Sequence, residues 1–278
     1  MRVARFWARR HAEIEGWRRD AWGSSDASEA EAAERAQAKA DRLAAEIHAQ
    51  DDPSLHHYEY QRLDQPEPIV EDVTTEAGER IGAITINRYG ASVLNTASLA
   101  FVDVDLAPAR KPGWLERKLT GWKPDDGGRA LDALRSWGAE DSGRGARVYR
   151  TFAGLRYLLP APALDPASSE TGELMHRLGC DELYARLCRF QGSFRARLTP
   201  KPWRLDIAST PKLPYDKLVE QSEDTRAWLR SYEEASRGFA VCELIEEVGQ
   251  TRPPNHDVAR LIAMHDEWSG VGSGRPLA

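Results

Sequence analysis

The chain has 278 residues, 38 Lys and Arg against 44 Asp and Glu, and 41% hydrophobic residues. That length can bury one large core or two modest ones. A formal charge of −6 argues against a protein that coats nucleic acid non-specifically. The cysteines Cys180, Cys188 and Cys242 are odd in number and lack close pairs, which argues against a disulfide framework. No run reaches transmembrane length, and the basic N-terminus is not followed by a signal-peptide core. A soluble cytoplasmic protein with no membrane partner is expected.

Taken in order, residues 1–52 read as a helical hairpin. Val3, Phe6, Trp7, Ile14 and Trp17 fall roughly on one helical face, and Gly23-Ser24-Ser25 interrupts it. Ser28 and Glu31 have capping-box spacing ahead of a second helix striped by Ala32, Ala36, Ala40, Leu43 and Ile47. Residues 51–68 have no helical period. Strand signals follow at 69–73, 81–87 and 99–105, with Gly78 and Gly90 at turns. Residues 107–128 read as a loop and 128–138 as a helix with Leu131, Leu134 and Trp137 inward. Strands at 147–151 and 155–159 flank the turn Phe152-Ala153-Gly154. A helix is expected over 169–191, then strands at 194–198 and 203–207. From Pro214 the pattern is helical, through Trp228, Leu229 and Tyr232, then Leu244, Ile245 and Val248, then Val258 to Trp268. The Gly/Pro-rich tail after Gly270 is expected to fray.

Strands joined by short turns, with helices at both termini, give an α+β class with a mainly antiparallel sheet. Three units follow: a helical hairpin (1–52), an α+β core (53–213) and a C-terminal helical region (214–278).

The pattern richest in chemistry is Phe101-Val102-Asp103-Val104-Asp105. In a strand, residues two apart share a face, so Asp103 and Asp105 stand side by side at the end of an apolar run. Neighbouring carboxylates repel, and Mg²⁺ or Mn²⁺ relieves the repulsion. Asp206 ends another strand-like run and is the candidate third ligand. The segment 144–206 carries 11 Arg and Lys against 6 Asp and Glu. Within it Arg150, Arg156, Arg195, Arg197, Lys201 and Arg204 are candidate phosphate ligands, since guanidinium binds phosphate bidentately and Lys adds a point charge. The alternative is that these arginines neutralise carboxylates. His176, Cys180 and Cys188 share a predicted helix but lack zinc spacing, and His265-Asp266 fits a helix whose apolar face His265 closes. No phosphate-binding Gly loop, serine elbow or dinucleotide fingerprint is present.

Three motifs in this order resemble those of the archaeo-eukaryotic primase and primase-polymerase superfamily. The hydrophobic-Asp-hydrophobic-Asp motif is matched at 101–105. The small-x-His motif is represented by Gly154-Leu155-Arg156, with Arg156 where the family has His, and the hydrophobic-acid motif by Leu205-Asp206. The resemblance spans roughly residues 80–210. It implies a sheet of the RNA-recognition-motif type and a metal-dependent nucleotidyltransferase. Asp103, Asp105 and Asp206 would hold Mg²⁺ or Mn²⁺, and the basic residues would hold a nucleoside triphosphate and a single-stranded or primed nucleic acid. Arg156 in the His slot keeps open a catalytically inactive primase-like module that binds nucleic acid or protein. An Asp-x-Asp glycosyltransferase would need a nucleotide-binding α/β half ahead of the motif, which this sequence does not supply.

Overall fold

A computed structural model describes residues 3–14, 17–48, 66–106, 127–160, 163–207 and 211–278. The chain begins with a β-hairpin, β1 (Phe6–Ile14) and β2 (Trp17–Ser25), and only then a helix, α1 (Glu29–His48). This corrects the expected pair of helices. In a strand Phe6 and Trp7 point to opposite faces, so the apparent helical stripe is split between them. The face turned to α1 is built from small residues: Ala12 and Ala21 are buried there, opposite Ala32, Ala36 and Ala40. A Cβ on Gly23 would sit 2.2 Å from Ala32 O and Ala36 N, so backbone meets backbone here. The cap of α1 is as expected: Ser28 Oγ accepts from the Glu31 amide at 3.2 Å. The Glu31 carboxylate turns instead to the Ser25 hydroxyl.

Next comes a meander of β3 (Ile69–Thr74), β4 (Arg80–Ile86) and β5 (Ser92–Thr96), then β6 (Ala100–Asp105). α2 (Gly128–Ala139) precedes a hairpin of β7 (Gly145–Thr151) and β8 (Gly154–Leu159). Two helices, α3 (Ser169–Arg177) and α4 (Glu182–Gln191), replace the single one expected. Gly179, at φ +77°, ends the first, and Asp181 caps the second by accepting from the Tyr184 amide at 2.7 Å. β9 (Phe194–Arg197) follows.

Trp203–Ile207 is not a strand. Pro202–Arg204 form one 3₁₀ turn, because Pro200 and Pro202 lack the N–H groups a ladder needs. α5 (Tyr215–Glu220) and α6 (Glu223–Ser236) come next, then β10 (Cys242–Gly249) and α7 (His256–Ser269). The strand β10 was expected to be helical. A register jump between Leu244 and Glu246 breaks its period of two and leaves apolar residues at helix-like spacing. The tail does not fray: Leu277 bridges Ala240, and Ala278 is buried. The C-terminal unit is therefore not purely helical, since β10 joins the central strands. Most of the expected irregular stretches 51–68 and 107–128 lies outside the described residues.

Apart from the first hairpin the described residues form two four-stranded antiparallel sheets, ordered β3-β4-β5-β9 and β10-β7-β8-β6. The chain is thus α+β with antiparallel sheets. A single core runs through both, including Ile84, Leu94, Phe101, Tyr149, Leu158, Phe194 and Leu261. The Tyr184 side chain helps to join the facing edges β6 and β9. The Tyr184 hydroxyl lies 2.9 Å from Arg195 O and 3.2 Å from Phe101 O, and accepts from the Arg195 amide at 3.2 Å. No helix among the described residues is long and apolar enough to cross a membrane.

Candidate nucleic-acid interface

Register fixes which side chains meet. Asp103 lies opposite Arg156 in the β6–β8 ladder, and Arg156 lies opposite Tyr149 in β7–β8. Directly paired residues share a face, so Asp103, Asp105 and Arg156 project together. A Cβ on Gly154 would lie 2.0 Å from Val104 O, so glycine lets this turn close against the end of β6. Arg150 pairs with Leu155, one residue off in parity, and therefore lies on the opposite face from Asp103. The sequence reading had placed Arg150 with the phosphate ligands.

Arg156 is 1% exposed. Its Nε donates to Asp103 Oδ1 at 2.8 Å and its Nη2 to Oδ2 at 3.1 Å. Nη1 donates to Arg197 O at 3.0 Å and lies 3.4 Å from His265 Nε2. Burial alone would push this guanidinium down, and the charge and hydrogen bonds of Asp103, with smaller help from Cys242 and Tyr184, together reverse that. Arg156 is thus a buried tie between β6, β8 and β9, with its donors turned inward rather than to a phosphate. His265 completes the packing, its ring 5.3 Å from Phe101 and 5.1 Å from Tyr149, while Asp266 accepts from the Tyr149 hydroxyl at 2.8 Å. Burial pushes His265 below its usual value. It closes the apolar face of α7, as its spacing suggested.

Arg195 is also consumed internally. It donates to both oxygens of Glu67 at 2.7 and 2.8 Å and to Gln191 Oε1 at 2.7 Å. Arg197, two residues on, has a buried Nε with no hydrogen-bond partner among the described residues. Burial pushes its guanidinium down to about 10, and the neighbouring Arg156 adds to this. Burial also lowers Lys201, reinforced by Arg197 and Arg204, and lowers Arg204, which Asp105 partly offsets. Two carboxylates, Asp103 and Asp105, therefore face four cations.

That balance bears on a metal. Both oxygens of Asp103 are engaged by Arg156, and Asp105 is the exposed partner. Asp206 lies beyond the 3₁₀ turn, and among the described residues no three His, Cys, Asp or Glu side chains form a group that could hold a metal ion. His176 is exposed while Cys180 and Cys188 are buried, and burial pushes the Cys188 thiol up to about 12. The surplus of positive charge favours an anion over a cation.

Two of these cations, Lys201 and Arg204, also lie against exposed aromatic rings that the sequence motifs did not mark. Lys201 Nζ sits 5.6 Å from the Trp203 ring, and Tyr89 meets Trp203 edge-on at 5.2 Å. Arg88 lies 4.9 Å from the Tyr89 ring, and Arg204 lies 4.1 Å from Phe152. Trp203 is 53% exposed and Phe152 55%. The signal available in the sequence was aromatic residues beside cations in turns, at Arg88-Tyr89, at Phe152 and across Lys201–Arg204. The chain matches no family model, no curated protein and no solved structure.

Proposed function

We propose that the chain binds single-stranded nucleic acid on this aromatic and cationic surface, as a primase-like module on an RNA-recognition-motif type of core that works without a catalytic metal. Trp203, Phe152 and Tyr89 offer stacking faces for bases, and Lys201, Arg204, Arg88 and Arg197 offer charge for the backbone. The observation that carries the reading is the exposure of Trp203 and Phe152 beside Lys201 and Arg204. A large apolar ring held open to solvent next to cations fits a stacking platform better than a folding role. Asp103 serves by fixing Arg156, which in turn holds the backbone carrying Arg197. The test is fluorescence anisotropy with labelled single-stranded DNA and RNA, with Mg²⁺ and with chelator. Binding that persists in chelator and falls about tenfold or more in Trp203→Ala is expected. No binding, or binding only with metal, overturns the reading.

A second reading is metal-dependent nucleotidyl transfer from a nucleoside triphosphate. Asp105 favours it: an exposed carboxylate on the same face as Asp103, beside cations suited to a triphosphate. A divalent ion would have to compete with Arg156 for Asp103. Calorimetry with Mn²⁺ and nucleoside triphosphate separates the two readings. Metal-dependent binding that disappears in Asp103→Asn supports transfer.

A further inference from the structure

A basic recess lies where α1 rides over the end of β2. It is a cavity of about 440 Å³ lined by Trp22, Asp26, Arg35, Lys39 and Arg42, together with Ala4 and residues 23–25. Arg35, Lys39 and Arg42 are spaced four and three apart, which sets them on one face of α1. The adjoining face carries Ala32, Ala36 and Ala40 into the hairpin. The nearby acids are already engaged: Asp26 by Arg80 at 2.9 Å, and Glu31 by Arg35 at 2.5 Å. Lys39 and Arg42 thus line, with the Glu31-paired Arg35, a recess whose one lining acid is paired elsewhere.

We propose that this recess is a binding site for a phosphate chain of nucleotide size, separate from the strand-binding surface. Its volume lies within the range of small-molecule sites. Arg35 already has Nη1 on Ser24 O at 2.8 Å, so it is held in place at the rim. Lys39 and Arg42 add charge along the same helix face. Burial and the charge of Arg42 push Lys39 down to about 8, a like-charge crowding that a bound anion relieves. The phosphate could belong to a free nucleotide or to a nucleic-acid strand, and the chemistry of the recess is the same for both.

The test is calorimetric titration of the full chain with inorganic tripolyphosphate. Binding is expected, weakened at least tenfold in K39E/R42E and largely retained in K39R/R42K. No binding by the unaltered chain, or unchanged affinity in K39E/R42E, overturns the site. A circular-dichroism melt of each variant shows whether the fold is kept. Tripolyphosphate binding in K201E/R204E must persist; its loss there would assign the anion to the Lys201–Arg204 surface and sink this proposal. The source follows from oligonucleotide affinity in K39E/R42E. A parallel fall makes the recess part of the strand's path, and an unchanged value makes it a free-nucleotide site.

Discussion

Asp103 and Arg156 stand directly opposite one another in the β6–β8 ladder, and both carboxylate oxygens accept from the one guanidinium. Arg156 is fully buried whereas Asp103 is about one-third exposed, so the arginine depends on the pair more than the aspartate does. Removing one partner of a buried pair strands the other, at a cost of about 3–5 kcal/mol. Asp103→Ala should therefore lower unfolding stability by about 3 kcal/mol, read from urea midpoints with an unchanged m-value. A loss below about 1 kcal/mol would show that the pair does little for folding.

The same pairing makes a prediction for metal. A ligand that binds only the folded state raises its melting temperature. With Asp103 engaged, millimolar Mn²⁺ should leave the melting midpoint of the unaltered chain unmoved, as read by scanning calorimetry. A clear upward shift, reversed by chelator, would favour the transferase reading.

For the proposed strand-binding surface, the charge and stacking contributions are separable. Each lost phosphate contact lowers the slope of log affinity against log salt by about 0.7 for single strands. Lys201→Gln should reduce that slope by about this amount. Trp203→Ala should leave the slope alone while costing about 1–3 kcal/mol of affinity. Anisotropy titrations at several salt concentrations distinguish these outcomes, and equal slopes in all three proteins would remove Lys201 from the contact.

A pH dependence follows from Glu140 at the end of α2. Hydrogen bonds from Arg177 and then Arg144 hold its carboxyl down to about 2, against an ordinary value of 4.5. A carboxylate lowered by folding favours the native state above its ordinary value, and the benefit drains away as pH falls toward the folded value. The contribution of Glu140 is therefore complete above about pH 4.5 and gone near pH 2. Glu140→Gln should flatten the acid-unfolding profile within that window. An identical profile would mean that the two arginines let go before the acid titrates.

The hairpin–helix contact is tested by Gly23→Ala. The added Cβ would collide with the α1 backbone. Overpacking of this kind typically costs about 1–3 kcal/mol. Limited proteolysis should cut within residues 3–48 faster in the variant, and an unchanged digestion rate would mean that α1 can shift without loss.

The strands most legible in the sequence were those with long β-branched or aromatic runs, such as β4, β6, β7 and β8. They were found because their side chains are buried on a pleated sheet. The first hairpin was not, since its inner face is alanine and glycine, which carry little hydrophobic signal. β5 was missed because its run Ser92-Val93-Leu94-Asn95-Thr96 mixes apolar and polar residues, and Asn95 is buried by donating to Ala83 O, Val93 O and Thr85. β10 was misread because of its bulge. At the site, the shared face of Asp103 and Asp105 followed from strand parity alone. The fate of the arginines did not, because which acid an arginine meets depends on contacts distant in sequence. Arg195 meets Glu67, 128 residues away, and Arg156 meets Asp103, 53 residues away.

The hydroxyl of Tyr184 has a mechanical consequence. It spans the seam between the strand that carries the two aspartates and the strand that carries Arg197, touching main chain on both sides. The two strands cannot part without breaking these bonds, so any motion that opened one sheet away from the other would first have to release Tyr184.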